Sequence, residues 1–198
     1  MRSRKPLDII YPTILNVEHF HKIIVSQRGS IGYNSIGLID VGIEWAKHTI
    51  TYHESSPGLL TRAGALMFAY TNFHAWADGN KRTALMTTAF FLHLNQYGFD
   101  ITEDSADFAL EVAKRWTNNP NAQPIDEIVK IVNWLRPRVT SPGLTRGVGR
   151  FMISHTALDE EGWDIILKPW IDRTSKRIEL IGLKHPTKVN NHSQPSQS

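Results

Sequence analysis

The chain has 198 residues, of which 41% are hydrophobic and 21% are charged, and its 22 basic and 19 acidic residues leave a formal net charge of +3. This composition is typical of an ordinary globular protein, and so small a positive excess argues only weakly for nucleic acid, which we do not expect as a partner. The absence of cysteine excludes a disulfide framework and Cys-ligated zinc. The opening residues lack an apolar signal-peptide core and no apolar run approaches ~20 residues, so we expect a cytoplasmic protein without membrane contact.

The first 50 residues predict a short arm and two helices. Residues 1–9 are expected to be flexible. Asn16 is a suitable N-cap for an amphipathic helix that ends before Gly29. A Gly-rich connection over residues 28–38 matches neither a dinucleotide fingerprint nor a P-loop, so we interpret it as a loop with turns. A second helix is predicted over residues 38–49.

A third, apolar helix is predicted to lead directly into a polar stretch. Ser56 can cap this helix with Pro57 at its first position, and the helix then continues to Asn72. The stretch that follows, FHAWADGNKRTALMTT, begins at Phe73. A last helix of this part starts at Gly79 or Asn80 and is apolar on most sides, so we predict a central buried helix that stops at Gly98.

Five polar side chains are concentrated where that buried helix begins: His74, Asp78, Asn80, Lys81 and Arg82. Free backbone N–H groups at a helix start attract anions, and two cations placed there destabilise the helix unless a negative ligand compensates them. Asp78 can bind magnesium together with substrate phosphates, and His74 can accept a proton near neutral pH. Asn80 can either donate to a phosphate oxygen or anchor the turn.

Each of these residues alone has an ordinary structural explanation, and it is their grouping that indicates a site for phosphoryl or nucleotidyl transfer. A P-loop is rejected, because a P-loop follows a β-strand and joins Gly directly to Lys, whereas here a helix precedes the turn and Asn80 intervenes.

The remaining sequence predicts two more helices and then a change of character. Thr102 or Asp104 can cap one helix, and a second over residues 125–136 has an apolar stripe. The runs RFMIS, WDIILKPWI and KRIELIGL are rich in β-formers, so we predict two or three antiparallel strands within residues 145–183. We therefore expect a β-rich extension over residues 139–183 and a disordered tail over 184–198.

The string HAWADGNKRTA, from His74 to Ala84, resembles the signature of the Fic/Doc superfamily, specifically its Doc (death-on-curing) branch. The Doc pattern reads His, any residue, Phe, two further positions ending in an acid, Gly or Ala, and then Asn-Lys-Arg-Thr-Ala. The AMP-transferring Fic branch instead has Gly after the Asn and a second Arg three residues beyond the first, where this chain has Lys81 and Leu85. Trp76 departs from the usual Phe, and we expect its ring to fix the loop.

The resemblance covers residues 10–138 and implies a mainly α fold, a Fic/Doc-type helical bundle around a central buried helix. It also implies roles for the matching residues. His74 would be the base that deprotonates a target hydroxyl, and Asp78 would bind Mg²⁺. The phosphates would be held and neutralised by Gly79, Asn80, Lys81 and Arg82. A Cβ and an ammonium group at the Lys81 position suit a terminal phosphate, as in family members that act as kinases.

By this resemblance, the chain would be a toxin of a toxin–antitoxin system. It would transfer a phosphoryl group from ATP or another nucleoside triphosphate to a Ser or Thr hydroxyl of a protein substrate, such as elongation factor Tu, and so inhibit translation. A separate antitoxin protein would restrain it. Two alternatives stay open at this point, namely AMP transfer as in the Fic branch and a catalytically idle binding module.

Overall fold

A computed structural model of the chain describes residues 9–27, 29–48, 58–119, 121–140 and 160–184. The helices in these ranges are α1 Ile14–Gln27, α2 Gly37–His48, α3 Leu59–Asn72, α4 Asn80–Leu94, α5 Ser105–Asn118, α6 Pro124–Leu135 and α7 Glu160–Lys184. Two short strands, β1 Gly98–Phe99 and β2 Val139–Thr140, pair antiparallel with Gly98 opposite Thr140. The predicted mainly α fold with a small antiparallel sheet is confirmed. No helix in the described part of the chain combines the length and the apolar character that crossing a membrane needs.

Helix α4 is the central element, as predicted. It packs against α1, α3, α5, α7 and β1, and nearly all of its side chains are buried. Helix α3, which precedes α4 in the chain, packs against it and also contacts α2 and α6. The largest fully buried side chains are Phe20, Phe68, Tyr70, Trp76, Phe90 and Phe91. Because α3 and α4 are both buried, the loop between them starts and ends on rigid supports.

The start of α1 differs from the prediction, because Thr13 rather than Asn16 is the residue just before the helix. The Thr13 Oγ1 accepts the Asn16 backbone N–H at 3.2 Å, and the Asn16 Oδ1 accepts the Thr13 N–H at 2.9 Å. This reciprocal pair is a capping box in which Asn16 takes the third helical position. The prediction that Asn16 takes part in capping α1 is correct, but the N-cap position belongs to Thr13.

The end of α4 also differs from the prediction, since the helix stops at Leu94 and Gly98 belongs to β1. Gln96 adopts the left-handed conformation, with φ +70°. Its N–H donates to the His93 carbonyl at 3.0 Å, and the Tyr97 N–H donates to the Leu92 carbonyl at 2.8 Å. These two bonds form a Schellman motif with a non-glycine residue at the left-handed position.

The strands predicted within residues 145–183 are wrong where the structure describes them. The runs WDIILKPWI and KRIELIGL lie in α7, and RFMIS lies outside the described residues, as do Ser56, Pro57 and residues 185–198. Ile171, Ser175 and Ile178 are buried at helical spacing, where α7 packs on α1, α4 and α5. The β-branched composition favoured strands, but packing on this surface outweighs that propensity. The division into domains at residue 138 stays a prediction.

Candidate active site at the amino end of α4

The loop from Phe73 to Gly79 joins α3 to α4 and carries His74 on the surface. His74 has φ +52°, a left-handed conformation that few residues other than glycine adopt. Such a conformation costs of the order of 1–2 kcal/mol and persists only where neighbouring structure holds it. The predicted base is therefore exposed to solvent in an unusual, constrained backbone.

The Gly-rich loop before α2 supplies that constraint. The backbone N–H groups of Asn34 and Ser35 donate to the Ala75 carbonyl at 3.0 and 3.2 Å, and the Ala77 N–H donates to the Gly32 carbonyl at 3.0 Å. The Asn34 side-chain Nδ2 also donates to the carbonyls of His74, at 3.1 Å, and Trp76, at 3.0 Å. Asn34 therefore holds the peptide units on both sides of Ala75.

Trp76 anchors the other side of this loop in the core. Its indole is fully buried and stacks on the His21 ring, with centroids 4.4 Å apart and planes at 13°. The Trp76 backbone N–H donates to Asn80 Oδ1 at 3.1 Å, and Asn80 Nδ2 donates to the Trp76 carbonyl at 2.7 Å. Of the two roles considered for the Asn80 side chain, the structure shows anchoring of the turn. Its backbone N–H, at the helix start, has no acceptor within the helix.

Gly79 immediately precedes α4 and has φ +80°, a left-handed conformation suited to glycine. A Cβ at this position would lie 3.1 Å from a Val25 methyl and 3.2 Å from the His21 ring, so the turn also packs closely against α1. The first intrahelical bond runs from the Thr83 N–H to the Gly79 carbonyl at 2.9 Å. The N–H groups of the three residues before Thr83 therefore have no acceptor within the helix and form an anion-binding end.

The charged residues of the motif lie at this same end. Asp78 is half-exposed, and its Oδ2 lies 3.4 Å from the Arg82 guanidinium, while its Oδ1 accepts the Gly79 N–H. The Arg82 side chain also donates to the Ile24 carbonyl at 3.5 Å, which ties it to α1. Lys81 is partly exposed next to it. The structure thus brings together His74, Asp78, Gly79, Asn80, Lys81 and Arg82 in one turn of loop and one turn of helix.

The fit of this turn to magnesium depends on a single carboxylate. No cluster of three or more His, Cys, Asp or Glu side chains that could hold a metal occurs in the described ranges. Magnesium is commonly held by one or two carboxylates with substrate phosphates and water completing its shell. Asp78 at the edge of an anion-binding helix end fits that mode, in which the cation binds together with a phosphorylated substrate.

His21 is a site residue that sequence reasoning missed. It lies on α1 beneath the loop, is 3% exposed, and places its Nδ1 3.1 Å from the Thr83 hydroxyl. Burial, and to a smaller extent the nearby Arg82 charge, lower the pKa of His21 to about 4 against an opposing effect of Asp78. A neutral ring at this place supports Trp76 and Gly79 without adding charge beneath the helix end. Neither His21 nor Asn34 is near the motif in sequence, and only their position in the fold identifies them.

Comparison with known proteins agrees with this geometry. The model of the Fic/DOC family matches residues 11–92, a range that includes α1, the Gly-rich loop and the whole motif. The chain is also similar to a protein named Toxin Doc from Mycolicibacterium smegmatis, with 36% identity over 94 residues, covering 46% of this chain and 72% of that protein. Together with Lys81 in place of the Fic-branch glycine, these matches show that the chain belongs to the Fic/DOC family, in its Doc branch.

Proposed function

We propose that this protein is a Doc-like toxin of a toxin–antitoxin pair, a transferase that moves the terminal phosphoryl group of a nucleoside triphosphate to a Ser or Thr hydroxyl of a protein. The observation that carries the proposal is that exposed His74 lies in the short loop leading into α4, whose first turn has free N–H groups and contains Lys81 and Arg82. The similarity to a protein named Toxin Doc supports the biological role.

The chemistry follows from the roles that these groups can take. The N–H groups at the start of α4 bind the terminal phosphates, and Lys81 and Arg82 offset their charge. His74 accepts the proton of the target hydroxyl while its oxygen attacks the terminal phosphorus. The bond from that phosphorus to the bridging oxygen breaks, and the nucleoside diphosphate leaves. Asp78 would hold Mg²⁺ with the phosphate oxygens, and the bound cation would supply further charge neutralisation.

Lys81 supports phosphoryl transfer over AMP transfer. Glycine at this position would let a nucleotide's α-phosphate lie against the backbone, whereas a Cβ and an ammonium group occupy that space. The added cation also suits the more highly charged terminal phosphate. AMP transfer is therefore the alternative outcome of the experiment below.

The proposal includes a protein target and a restraining partner. By the family resemblance, the target is a component of translation such as elongation factor Tu, and an antitoxin chain inhibits the enzyme in trans. Both would be met in the cytoplasm, where ATP and Mg²⁺ are available as co-substrate and cofactor.

The decisive experiment incubates the protein with a cell extract and ATP labelled in either the γ- or the α-phosphate. We expect γ-label to appear on a protein band, with ~80 Da added by mass spectrometry, while α-label and ~329 Da would indicate AMP transfer. His74→Ala should abolish labelling and relieve growth arrest, yet remain folded, because the side chain is exposed and alanine in the left-handed region costs only of the order of 1–2 kcal/mol.

His48→Ala serves as the matched control, since it removes an exposed histidine at the end of α2. We expect this variant to label the target like the wild type. An equally toxic His74→Ala variant would contradict the mechanism. A wild-type protein that transfers neither label but binds a partner tightly would indicate an idle binding module.

A further inference from the structure

A cavity of about 320 Å³ lies at the opposite end of α4 from the motif. Its walls are the last turns of α4, the segment that contains β1, and α7. The residues that give it chemical character are His93, Asp100, Trp170, Arg173, Thr174 and Arg177. Four of these residues recur along one face of α7 at the spacing of helical turns.

The polar part of the cavity carries two cations. Arg173 and Arg177 are four residues apart on α7, and within the described ranges neither forms an ion pair with a carboxylate. The Arg177 Nε donates to the Ile101 carbonyl at 3.0 Å, which fixes the guanidinium and leaves its terminal nitrogens for another partner. Arg115 and Arg138, by contrast, each pair with an acid. Among the described residues that line the cavity, Asp100 is the single acidic one against two arginines, so these residues carry a net positive charge.

The other part of the cavity is flat and uncharged. The Trp170 indole stacks on the His93 ring, with centroids 5.0 Å apart and planes at 19°. Burial lowers the pKa of His93, and the Arg173 charge lowers it further, so the imidazole is neutral at pH 7. An aromatic wall next to two guanidinium groups is suited to a molecule in which an oxyanion is attached to a ring or an apolar body.

The cavity is separate from the proposed active site. His93 is 13 residues beyond Asn80 along α4, a rise of about 20 Å. The family-model match ends at residue 92, so His93, Asp100 and all of α7 lie beyond it. Of the described residues that line the cavity, all except Ala89 therefore lie outside the family match, and none belongs to the motif.

We propose that this cavity binds a compact organic anion. Its phosphate or carboxylate group is held by Arg173, Arg177 and the Thr174 hydroxyl, and its ring or apolar body lies against Trp170 and His93. The proposal does not depend on the activity proposed above.

The test titrates the full-length protein with phenyl phosphate, benzoate and phenol by isothermal calorimetry. We expect one equivalent of an anion to bind and phenol not to bind, and the tighter of the two anions identifies the group as phosphate or carboxylate. Arg173→Gln should weaken binding by at least about tenfold, since it removes a charge-assisted hydrogen-bond donor. Thr174→Val, which keeps all charges, should weaken it by a few-fold.

Two further variants make the test specific. Lys176→Gln removes the same charge from an exposed residue of α7 that does not line the cavity, so binding should stay within about twofold, since screened surface charges act weakly at a distance. Lys81→Ala should leave binding unchanged, because Lys81 is at the other end of α4. The proposal is overturned if neither anion binds at millimolar concentration, if phenol binds equally well, if Arg173→Gln and Lys176→Gln have the same effect, or if Lys81→Ala abolishes binding.

Discussion

His74 combines surface exposure with a left-handed backbone, and Asn34 is the side chain that joins the loop around it to the rest of the protein. Exposure would let the imidazole meet the proposed protein target, while the hydrogen bonds to the carbonyls of His74 and Trp76 restrict the backbone that carries the ring. Catalysis that depends on in-line positioning is sensitive to displacements near 1 Å. At the scale of single residues, the proposed activity should therefore depend on Asn34, a side chain outside the motif.

Asn34→Ala is expected to lower the transfer rate by about 10–100-fold, because the loop loses two hydrogen bonds that orient His74. Under the proposed function, the KM for the nucleotide should change little, since the start of α4 is supported separately by Asn80. The free energy of unfolding should fall by only about 1 kcal/mol. Steady-state transfer assays and urea unfolding measure both effects. Ser35→Ala, which changes an exposed side chain in the same loop, should match the wild type; an Asn34→Ala variant with full activity would contradict this role.

His21 makes stability depend on pH in a predictable direction. Its pKa is about 4 in the folded protein and near 6.5 in the unfolded chain, so between these values only the unfolded chain takes up the proton. The free energy of unfolding should therefore fall as the pH drops from 6.5 towards 4, with a contribution from His21 of about 2–3 kcal/mol.

The comparison is with His21→Phe, which keeps a flat ring against Trp76 but cannot ionise. Denaturant unfolding at several pH values should show a steeper loss for the wild type than for this variant, because all other titrating groups are shared. Parallel curves for the two proteins would show that His21 does not carry this pH dependence.

At the scale of secondary structure, the two ends of α4 use left-handed residues differently. Gly79 at the start adopts its conformation at little steric cost, whereas Gln96 at the end has a Cβ in the same region. The Schellman hydrogen bonds compensate for the strain at Gln96. A steric cost nevertheless remains at Gln96, and glycine at this position would avoid it.

Gln96→Gly should be more stable than Gln96→Ala by about 1 kcal/mol, because only glycine relieves the strain. Both variants remove the same side-chain contacts, so their difference isolates the backbone. Urea midpoints at neutral pH provide the measurement. Equal midpoints would mean that residue 96 leaves the left-handed region once its side chain is shortened.

Local patterns were sufficient to predict most helices. Apolar periodicity located α1 and α6, and the motif identified the turn before α4, whose role as a site stays a prediction. The residues that the sequence did not identify have partners far away in the chain. Asn34 contacts residues about 40 positions later, and His21 contacts Thr83 at a separation of 62. The β-branched residues of α7 favoured strands because the surface on which α7 packs was not visible in the sequence.

At the scale of the whole molecule, α7 belongs to the main core. Its residues Ile171 and Ile178 are buried with the side chains of the helical module, and Trp170 contacts Phe90 of α4, with ring centroids 5.7 Å apart. A helix that contributes buried side chains to a shared core is expected to unfold cooperatively with it.

Ile171→Ala is expected to lower the free energy of unfolding by about 2–4 kcal/mol, the usual loss for a buried aliphatic side chain. Leu180→Ala on the same helix is the control, because Leu180 is 49% exposed, and its loss should stay below about 1 kcal/mol. Chemical unfolding followed by far-ultraviolet circular dichroism distinguishes the two. A single transition is expected for both, and equally small losses would mean that α7 is not part of the cooperative unit.

The two hydrogen bonds from the Asn34 side chain to the loop around His74 also have a consequence for sequence searches that look for active relatives of this protein. A search for the string from His74 to Ala84 finds chains that have every reacting group, whether or not they have the distant amide that keeps those groups in place. A homologue that keeps the whole motif but lacks an asparagine at the position of Asn34 is expected to be inactive. Surveys that count active members should therefore read both positions together.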